Sequence, residues 1–261
     1  MIFYFSGNGN SKWVAERLGA ATGDTVADMM RLTDDEARAM LATARRVGLV
    51  FPIHSWDAPV PVKRFVRDVL RAPLPYTYVV CTCGDDAGKA MQRLGRLLGI
   101  DAAWSVQMPN TYVPMFDLDS DGLMADKLRA AARMTDGIAR KVLARAREVS
   151  VTEGRMAWAK TYVVSPMFQK FMVSARRFHI DGDCNGCGIC AKACPTANIA
   201  ITPDGPRWGS KCTHCMACLH RCPRHIIEWG KSTRGRGRYD LGRALRLAGL
   251  DDKRHDLPSA E

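Results

Sequence analysis

Eight of the ten cysteines fall in two runs, CNGCGICAKACP at 184–195 and CTHCMACLHRCP at 212–223. Each run spaces its thiols C-x2-C-x2-C-x3-C and closes with proline, and each cysteine of the first recurs 28 positions later in the second. Ile199 and Ile201 recur in the same way as Ile227 and Trp229. Thiols this close suit metal ligation better than cross-linking. Paired C-x2-C units also build tetrahedral zinc sites. Three cysteines at two-residue gaps, however, can wrap three corners of an iron-sulfur cubane and leave the fourth to a more distant thiolate. In this motif the last cysteine of each run crosses to the other cluster. The expected sets are Cys184, Cys187, Cys190 and Cys222 for one cluster, and Cys212, Cys215, Cys218 and Cys194 for the other. Proline after each fourth cysteine fits a chain that must turn sharply there, and Gly186 and Gly188 would let the loop approach the inorganic sulfides.

Over about residues 178–230 the chain resembles the bacterial two-cluster ferredoxins. That resemblance implies a small α+β fold of two hairpins and two short helices with pseudo-twofold symmetry. It also implies two low-potential 4Fe-4S clusters acting as one-electron relays, and all eight ligand positions match.

A second stretch with chemical content is SGNGNS, residues 6–11, set between the apolar run MIFYF and WVAERLGAA, whose apolar spacing is helical. A glycine-bearing loop leading from a strand into a helix offers backbone N–H groups to phosphate at the positive end of that helix. The G-x-x-x-x-G-K-[ST] spacing of a nucleoside triphosphate loop is absent, and G-x-G-x-x-G fails because Lys12 stands where the third glycine belongs. What remains is a loop of hydroxyls and amides, Ser6, Asn8, Asn10 and Ser11 with Gly7 and Gly9, able to complement backbone donors around a terminal monophosphate. A ligand-free polar turn is the plain alternative.

FYFSGNGNSKWVAERL resembles the flavodoxin phosphate loop with its flanking strand and helix, and the resemblance runs over about residues 1–145. It implies an α/β fold, a doubly wound five-stranded parallel sheet of order 2-1-3-4-5, with FMN at the switch between strands 1 and 3. It also implies that the loops after strands 3 and 4, here FPIHSWDAP and CTCGDDAGKA, sandwich the flavin ring. Pro52 and Ile53 then lead into His54 and Ser55 at the ring edge, and Trp56 stacks on the ring or packs between domains. Thr82, Cys83, Gly84 and Asp85 line the other side, although Cys81 and Cys83 also read as ordinary buried strand cysteines. Flavodoxins often carry glycine where a peptide flips toward N5 of the reduced flavin; residues 52–58 contain none, and a non-glycine residue resists positive φ. His54, Asp57, Asp85 and Asp86 are candidates for proton delivery, but no acid-base set is assigned.

Such residues need a scaffold to hold them. Strand-like segments near 1–5, 25–30, 46–52, 77–83 and 103–108 alternate with helix-like segments near 11–22, 34–43, 60–71, 86–99 and 122–148. RRVGLVFPI and YTYVVCTCG are nearly continuous apolar runs, as expected of strands covered on both faces. The expected organisation is an FMN-binding domain at 1–149, an amphipathic connecting segment at 150–182, the two-cluster domain at 183–230 and a basic tail at 231–261. Within the connector, TYVVSPMFQKFMVSARRFHI is apolar and aromatic, broken by Pro166 and interleaved with Lys170, Arg176 and Arg177. Packing between domains is its plain reading, a membrane-surface helix the other. The tail holds KSTRGRGRY, a short helical pattern at LGRALRLAG and a polar end, and reads as solvated surface or as a strap.

At 261 residues, 47% of them hydrophobic and 25% charged, the chain has the composition of ordinary globular protein with room for two cores. No run of 18 apolar residues and no basic-then-apolar leader pattern appears, so a cytoplasmic protein without a membrane span is expected. A net charge of +11 points to an acidic partner. Two oxidised clusters at about −2 each and an FMN phosphate at about −2 would bring the loaded protein to about +5. RGRGR lacks an aromatic stacking array for RNA, so an acidic redox protein is the expected partner and nucleic acid is not.

The two halves together resemble the flavodoxin-ferredoxin fusion electron carriers of anaerobic bacteria and archaea. That resemblance implies a soluble electron-transfer protein with FMN and two 4Fe-4S clusters. An FMN-dependent oxidoreductase fed through the clusters and a redox or iron-sulfur sensor remain as alternatives. Direct NAD(P)H oxidation is less favoured, because the chain lacks a second nucleotide-binding domain.

Overall fold

Ile2–Tyr4 forms β1, with Ile2 and Phe3 fully buried, as an apolar strand must be when neighbours flank it and helices cover both its faces. There follow α1 (Asn10–Thr22), β2 (Val26–Asp28), α2 (Asp34–Ala42), β3 (Arg46–Pro52), α3 (Val60–Asp68), β4 (Tyr76–Cys83), α4 (Ala90–Leu94), β5 (Ala102–Gln107), α5 (Asp121–Leu143) and β6 (Val149–Ser150). The computed structural model describes residues 1–71 and 73–250. The polar end of the expected tail, from 251 on, lies outside the described residues.

The strands pair in parallel in the order β2-β1-β3-β4-β5-β6. Through β5 this is the 2-1-3-4-5 order of a flavodoxin-like doubly wound sheet, whose crevice opens at the carboxyl ends of the strands. Phe3, Leu49 and Val79 stand in register across β1, β3 and β4, and all three are fully buried. Local chemistry agrees with the ends of the elements. Thr33 caps α2 and forms a capping box with Glu36, placing Asp34, Asp35 and Glu36 at the positive end of the helix.

Two elements depart from the sequence expectation. A sixth strand extends the expected five where a helix was expected to run on to 148. The chain returns beside β5 instead because the Glu148 carbonyl accepts the Ala103 N–H at 2.9 Å and its carboxylate accepts the Trp104 indole at 2.7 Å. The helix expected at 86–99 shrinks to Ala90–Leu94. Gly88 before it takes φ +57, and an added Cβ there would stand 2.5 Å from Thr161 Oγ1, so that stretch is a tight turn.

After β6 come α6 (Ala157–Ala159), a π-helical turn over Lys160–Val164 and α7 (Ser165–Phe171). Pro166, expected to break this stretch, does not. The turn before it widens to π register, which accommodates a ring and a missing N–H that a regular α-turn would not.

Beyond lie β7 (Phe178–Ile180), α8 (Ile189–Ala193), β8 (Ile199–Thr202), β9 (Gly205–Trp208), α9 (Ala217–His220), β10 (Ile227–Trp229) and α10 (Leu241–Leu247). β8 and β9 form an antiparallel hairpin, whereas β7 pairs antiparallel with β10. The two expected hairpins are therefore one hairpin and one pairing of the outermost strands.

The chain divides into two compact units. One comprises Met1–Ser6, Asn10–Met108 and Arg129–Gln169; the other comprises Gly7–Gly9, Pro109–Leu128 and the chain from Lys170 on. Within the second unit the tail to residue 250 is a strap. Tyr239, Leu241 and Leu245 are buried, and Arg238 pairs with Glu228 at 2.6 Å where both side chains are almost inaccessible. The arginines of RGRGR are each paired internally, Arg234 with Asp181, Arg236 with Asp117 and Arg238 with Glu228.

Candidate functional site

An open hollow is lined by Cys184, Cys187, Cys190 and Cys222, with Ile180 and Ile201 in its walls. The last cysteine of the second run is thus brought to the first three of the first run, the crossover that a two-cluster motif requires. Burial raises the Cys190 thiol, and the neighbouring Cys222, Cys187 and Cys184 raise it further. Cys184 and Cys187 are exposed, whereas Cys190 and Cys222 are buried.

The second set mirrors it. Burial pushes Cys215 up to about 11 and Cys218 further still, and Cys194 and Cys212 act on both. Cys194 therefore sits among the thiols of the other run. Loading iron here must displace protons, since cluster ligands are thiolates. Among the described residues no group of three or more His, Cys, Asp or Glu is gathered to hold a single metal ion. A cubane makes a different demand, spreading four thiolates around a four-iron core. The donor chemistry of both sets fits 4Fe-4S clusters.

The 28-residue repeat is written in the backbone as well as in the thiols. Gly186 and His214, Gly188 and Met216, and Ala197 and His225 are each 28 apart, and all six residues have positive φ. Gly186 N–H donates to Cys184 Sγ and His214 N–H to Cys212 Sγ, both at 3.4 Å. The left-handed turn aims an amide at the ligand sulfur, so His214 and Met216 accept a conformation unfavourable to side chains because the geometry of the loop demands it. Asn198 N–H makes a further bond to Cys194 Sγ at 3.3 Å. Hydrogen bonds to sulfur are among the levers that set cluster potential.

Residues that the sequence reading passed over enclose this second set. Tyr112 OH lies 2.7 Å from His214 Nδ1, and the His214 ring packs edge-on against Phe178 and Trp229. Phe178 stacks on Trp208 at 5.5 Å. The buried Trp208 indole N–H finds no partner at hydrogen-bond distance, yet it is near enough to Cys218 to temper the rise of that thiol. His220 accepts the Tyr239 N–H at Nδ1 and donates from Nε2 to the Thr111 carbonyl. Those bonds require the neutral ring, and burial lowers its pKa to about 4. The loop NTYVPMF offered one signal, an aromatic and apolar run where a connecting loop would be polar.

The glycine loop after β1 is engaged in a way its composition did not reveal. Gly7 passes so close to Cys215 that a Cβ on it would stand 2.7 Å from Cys215 Cβ, and a Cβ on Gly9 would stand 2.8 Å from Leu241. Asn8 Nδ2 donates to the Cys215 carbonyl at 2.8 Å and to Thr111 Oγ1 at 3.1 Å. Ser11 Oγ lies 2.8 Å from Thr82 Oγ1, joining the start of α1 to the end of β4. Ser6 stands two residues beyond β1, and Asn10 opens the helix.

The loops after β3 and β4 lie side by side, with Ile53 N–H donating to the Thr82 carbonyl at 2.8 Å beyond the Pro52–Thr82 register pair. His54 and Asp57 exchange backbone hydrogen bonds around a two-residue turn in which Ser55 and Trp56 have φ of 50° and 57°. The absence of glycine at 52–58 therefore does not keep this loop out of the left-handed region. Surrounding bonds impose it, at a cost of about 1–2 kcal/mol per residue. Lys160 Nζ lies 5.2 Å from the Trp56 ring centroid and pairs with Asp86 at 2.6 Å. Asp57, almost inaccessible, pairs with Lys63 at 2.6 Å and Arg93 at 3.2 Å. Cys83 and Asp85 use their carbonyls to accept from Met108 N–H and the Gln107 side chain, and Gly84 lies between them. Cys81 is fully buried, and burial holds its thiol well above the ordinary value. Ser55 Oγ is buried without a partner, a polar atom that a bound group would satisfy.

A family model described as a 4Fe-4S dicluster domain matches residues 183–227. No curated protein matches the chain. Among solved structures, the Trp repressor binding protein from Bacillus subtilis aligns at 15% identity over 55% of this chain and 97% of its own, with a TM-score of 0.40. An FMN-dependent NADH-azoreductase from Bacillus anthracis, in complex with FMN, aligns at 13% identity over 54% of this chain and 97% of its own, also at 0.40. The fold class rests on the strand order itself. The chain combines a flavodoxin-like α/β unit with a 4Fe-4S dicluster region. Among the described residues no helix is long and apolar enough to cross a membrane.

Proposed function

We propose that this chain is an electron-transfer protein passing electrons between FMN and two 4Fe-4S clusters, and on to or from a redox partner. The observation that carries this reading is the meeting of Cys222 with Cys184, Cys187 and Cys190 around one hollow. When bound, such clusters supply one-electron steps, and FMN supplies a two-electron store that can be emptied singly. Carrying both groups on one polypeptide raises their effective concentration.

The chain's own residues would act as holders. The first-turn N–H groups of α1, with Ser6 and Asn10, would hold the FMN phosphate. Residues 52–56 and 82–85 would flank the ring, with Ser55 Oγ finding its partner there. Gly7 and Asn8 also meet the Cys215 loop.

The carboxylates favour a carrier over a reductase. Asp57 and Asp86 are both committed to cations, which leaves them poorly placed to move protons. The second reading, an FMN-dependent oxidoreductase of a small molecule, draws support from the partnerless Ser55 hydroxyl beside the same turn. An acidic redox protein fits the basic net charge.

Oxygen-free purification with a visible spectrum and assay of iron, sulfide and flavin tests the proposal. It expects about eight irons and one flavin per chain; zinc or empty thiols with no flavin would end it. Stopped-flow mixing of dithionite-reduced protein with small organic acceptors separates the two readings, since saturable turnover at a defined site would select the oxidoreductase.

A further inference from the structure

The helical run from Ala157 to Phe171 is built inside out. Its inward positions, at four-residue spacing, are small: Ala157, Thr161 and Ser165, the last two fully buried. Its large apolar residues face water. Trp158 is 63% exposed, Met167 57% and Phe171 67%, and Val163 and Val164 are exposed beside them. Val163, Met167 and Phe171 also recur at four-residue spacing and so share one face. A helix that served only to pack against its own protein would carry these residues on the opposite side.

The charges of this stretch are one-sided. Between Glu153 and Asp181 there is no acidic residue, while Arg155, Lys160, Lys170, Arg176 and Arg177 are all present. Lys160 is held by Asp86, but Arg155, Lys170 and Arg176 are exposed and make no ion pair among the described residues. Trp158 packs against Tyr162 at 5.6 Å, and Arg96 lies over the Tyr162 ring at 5.4 Å. Exposed tryptophan and valine, an aromatic with a polar tip and flanking guanidinium and ammonium groups are what a helix lying in a bilayer interface presents.

We propose that the face formed by Trp158, Val163, Val164, Met167 and Phe171 docks on the surface of an anionic phospholipid bilayer. The apolar side chains enter the boundary between headgroups and acyl chains, and Arg155 and Lys170 meet lipid phosphates. The π-turn at Lys160–Val164 falls within this face, where Val163 and Met167 are exposed while Thr161 and Ser165 are buried. The want of any acidic residue between Glu153 and Asp181 favours a lipid surface over a protein groove. The docked protein would exchange electrons beside a membrane without spanning it.

The test is cosedimentation of the full-length, cofactor-loaded protein with vesicles of phosphatidylcholine alone and of an equimolar mixture with phosphatidylglycerol. Binding to the anionic vesicles, weakened by salt, is expected. The triple variant Trp158→Ser/Met167→Ser/Phe171→Ser should bind at least about tenfold more weakly with unchanged iron and flavin content. The charge variant Arg155→Glu/Lys170→Glu should lose anionic selectivity while keeping its visible spectrum. Equal binding by wild type and triple variant, or no binding to either vesicle, would overturn the proposal. So would a wild-type dimer that the triple variant renders monomeric, since a second copy would then be what covers the face. A chain that bound vesicles yet carried no flavin would leave this inference standing and remove the electron-transfer reading.

Discussion

Thr161 Oγ1 donates to the carbonyl of Trp56 at 3.1 Å and accepts the backbone N–H of Lys89 at 2.8 Å. One buried hydroxyl thus ties the strained turn after β3 to the start of α4. Thr161→Val keeps the shape and deletes both bonds, leaving a buried carbonyl and N–H unpaired. Denaturant titration should show a loss of about 2–4 kcal/mol. If residues 52–56 flank a flavin, flavin affinity should fall as well, measured by fluorescence quenching against a Thr161→Ser control that restores the bonds.

If ligation is crossed as proposed, it makes a grouping that spectroscopy can read. Cys222→Ser should disturb the same paramagnetic signal as Cys184→Ser and spare the one that Cys194→Ser and Cys215→Ser disturb. Signals that sorted by run, with Cys222 joining Cys212, would contradict the arrangement around the hollow.

Gly7→Ala sets a Cβ against the Cys215 Cβ at 2.7 Å and its sulfur at 3.2 Å. Overpacking of that kind costs about 1–3 kcal/mol, and here it displaces a ligand loop. Total iron should fall by about half with the first set retained. Gly122→Ala, whose added Cβ meets nothing within 4 Å, should leave iron content unchanged.

Asp24 knots the amino-terminal ends of β1 and β3, accepting from the terminal amine at 2.9 Å, Arg46 at 2.6 Å and Thr22 at 2.8 Å. Burial pushes its carboxyl up, but the bonds from Arg46, the terminal amine and Thr22 together hold it below the usual range. The unfolded chain therefore takes the proton first. This stability is complete above about pH 3.9 and is lost as pH falls through the depressed folded value. Asp24→Asn should lower stability at neutral pH by about 3 kcal/mol, and the Tm gap to wild type should narrow below about pH 4.

Arg238 and Glu228 form a nearly inaccessible pair, and Thr233 donates its hydroxyl to the same carboxylate. Arg238→Met strands a buried charge, at a cost of about 3–5 kcal/mol. Limited proteolysis should then cut the strap near 231–240 far faster than in wild type.

The cysteine spacing declared an iron-sulfur region, because thiols three residues apart are a local pattern that survives in one dimension. The near-continuous apolar runs of β3 and β4 declared a sheet covered on both faces for the same reason. Two-residue β6 was invisible, since its existence depends on what Glu148 finds beside Trp104. The left-handed turn at Ser55–Trp56 was not legible in the sequence, because non-glycine residues resist positive φ and here the His54–Asp57 bonds and Thr161 impose it from outside.

Patterns that depend on neighbours in sequence, thiols at ligand spacing and proline after the last of each run, could be read from the chain unaided. Folding decided which partner each group meets across long separations. Gly7 and Asn8, whose composition suited a phosphate, also meet Cys215, and the tail arginines, which read as solvated surface or a strap, find Asp181, Asp117 and Glu228. A residue type states what a side chain can do; close packing in three dimensions determines which of those options remains open.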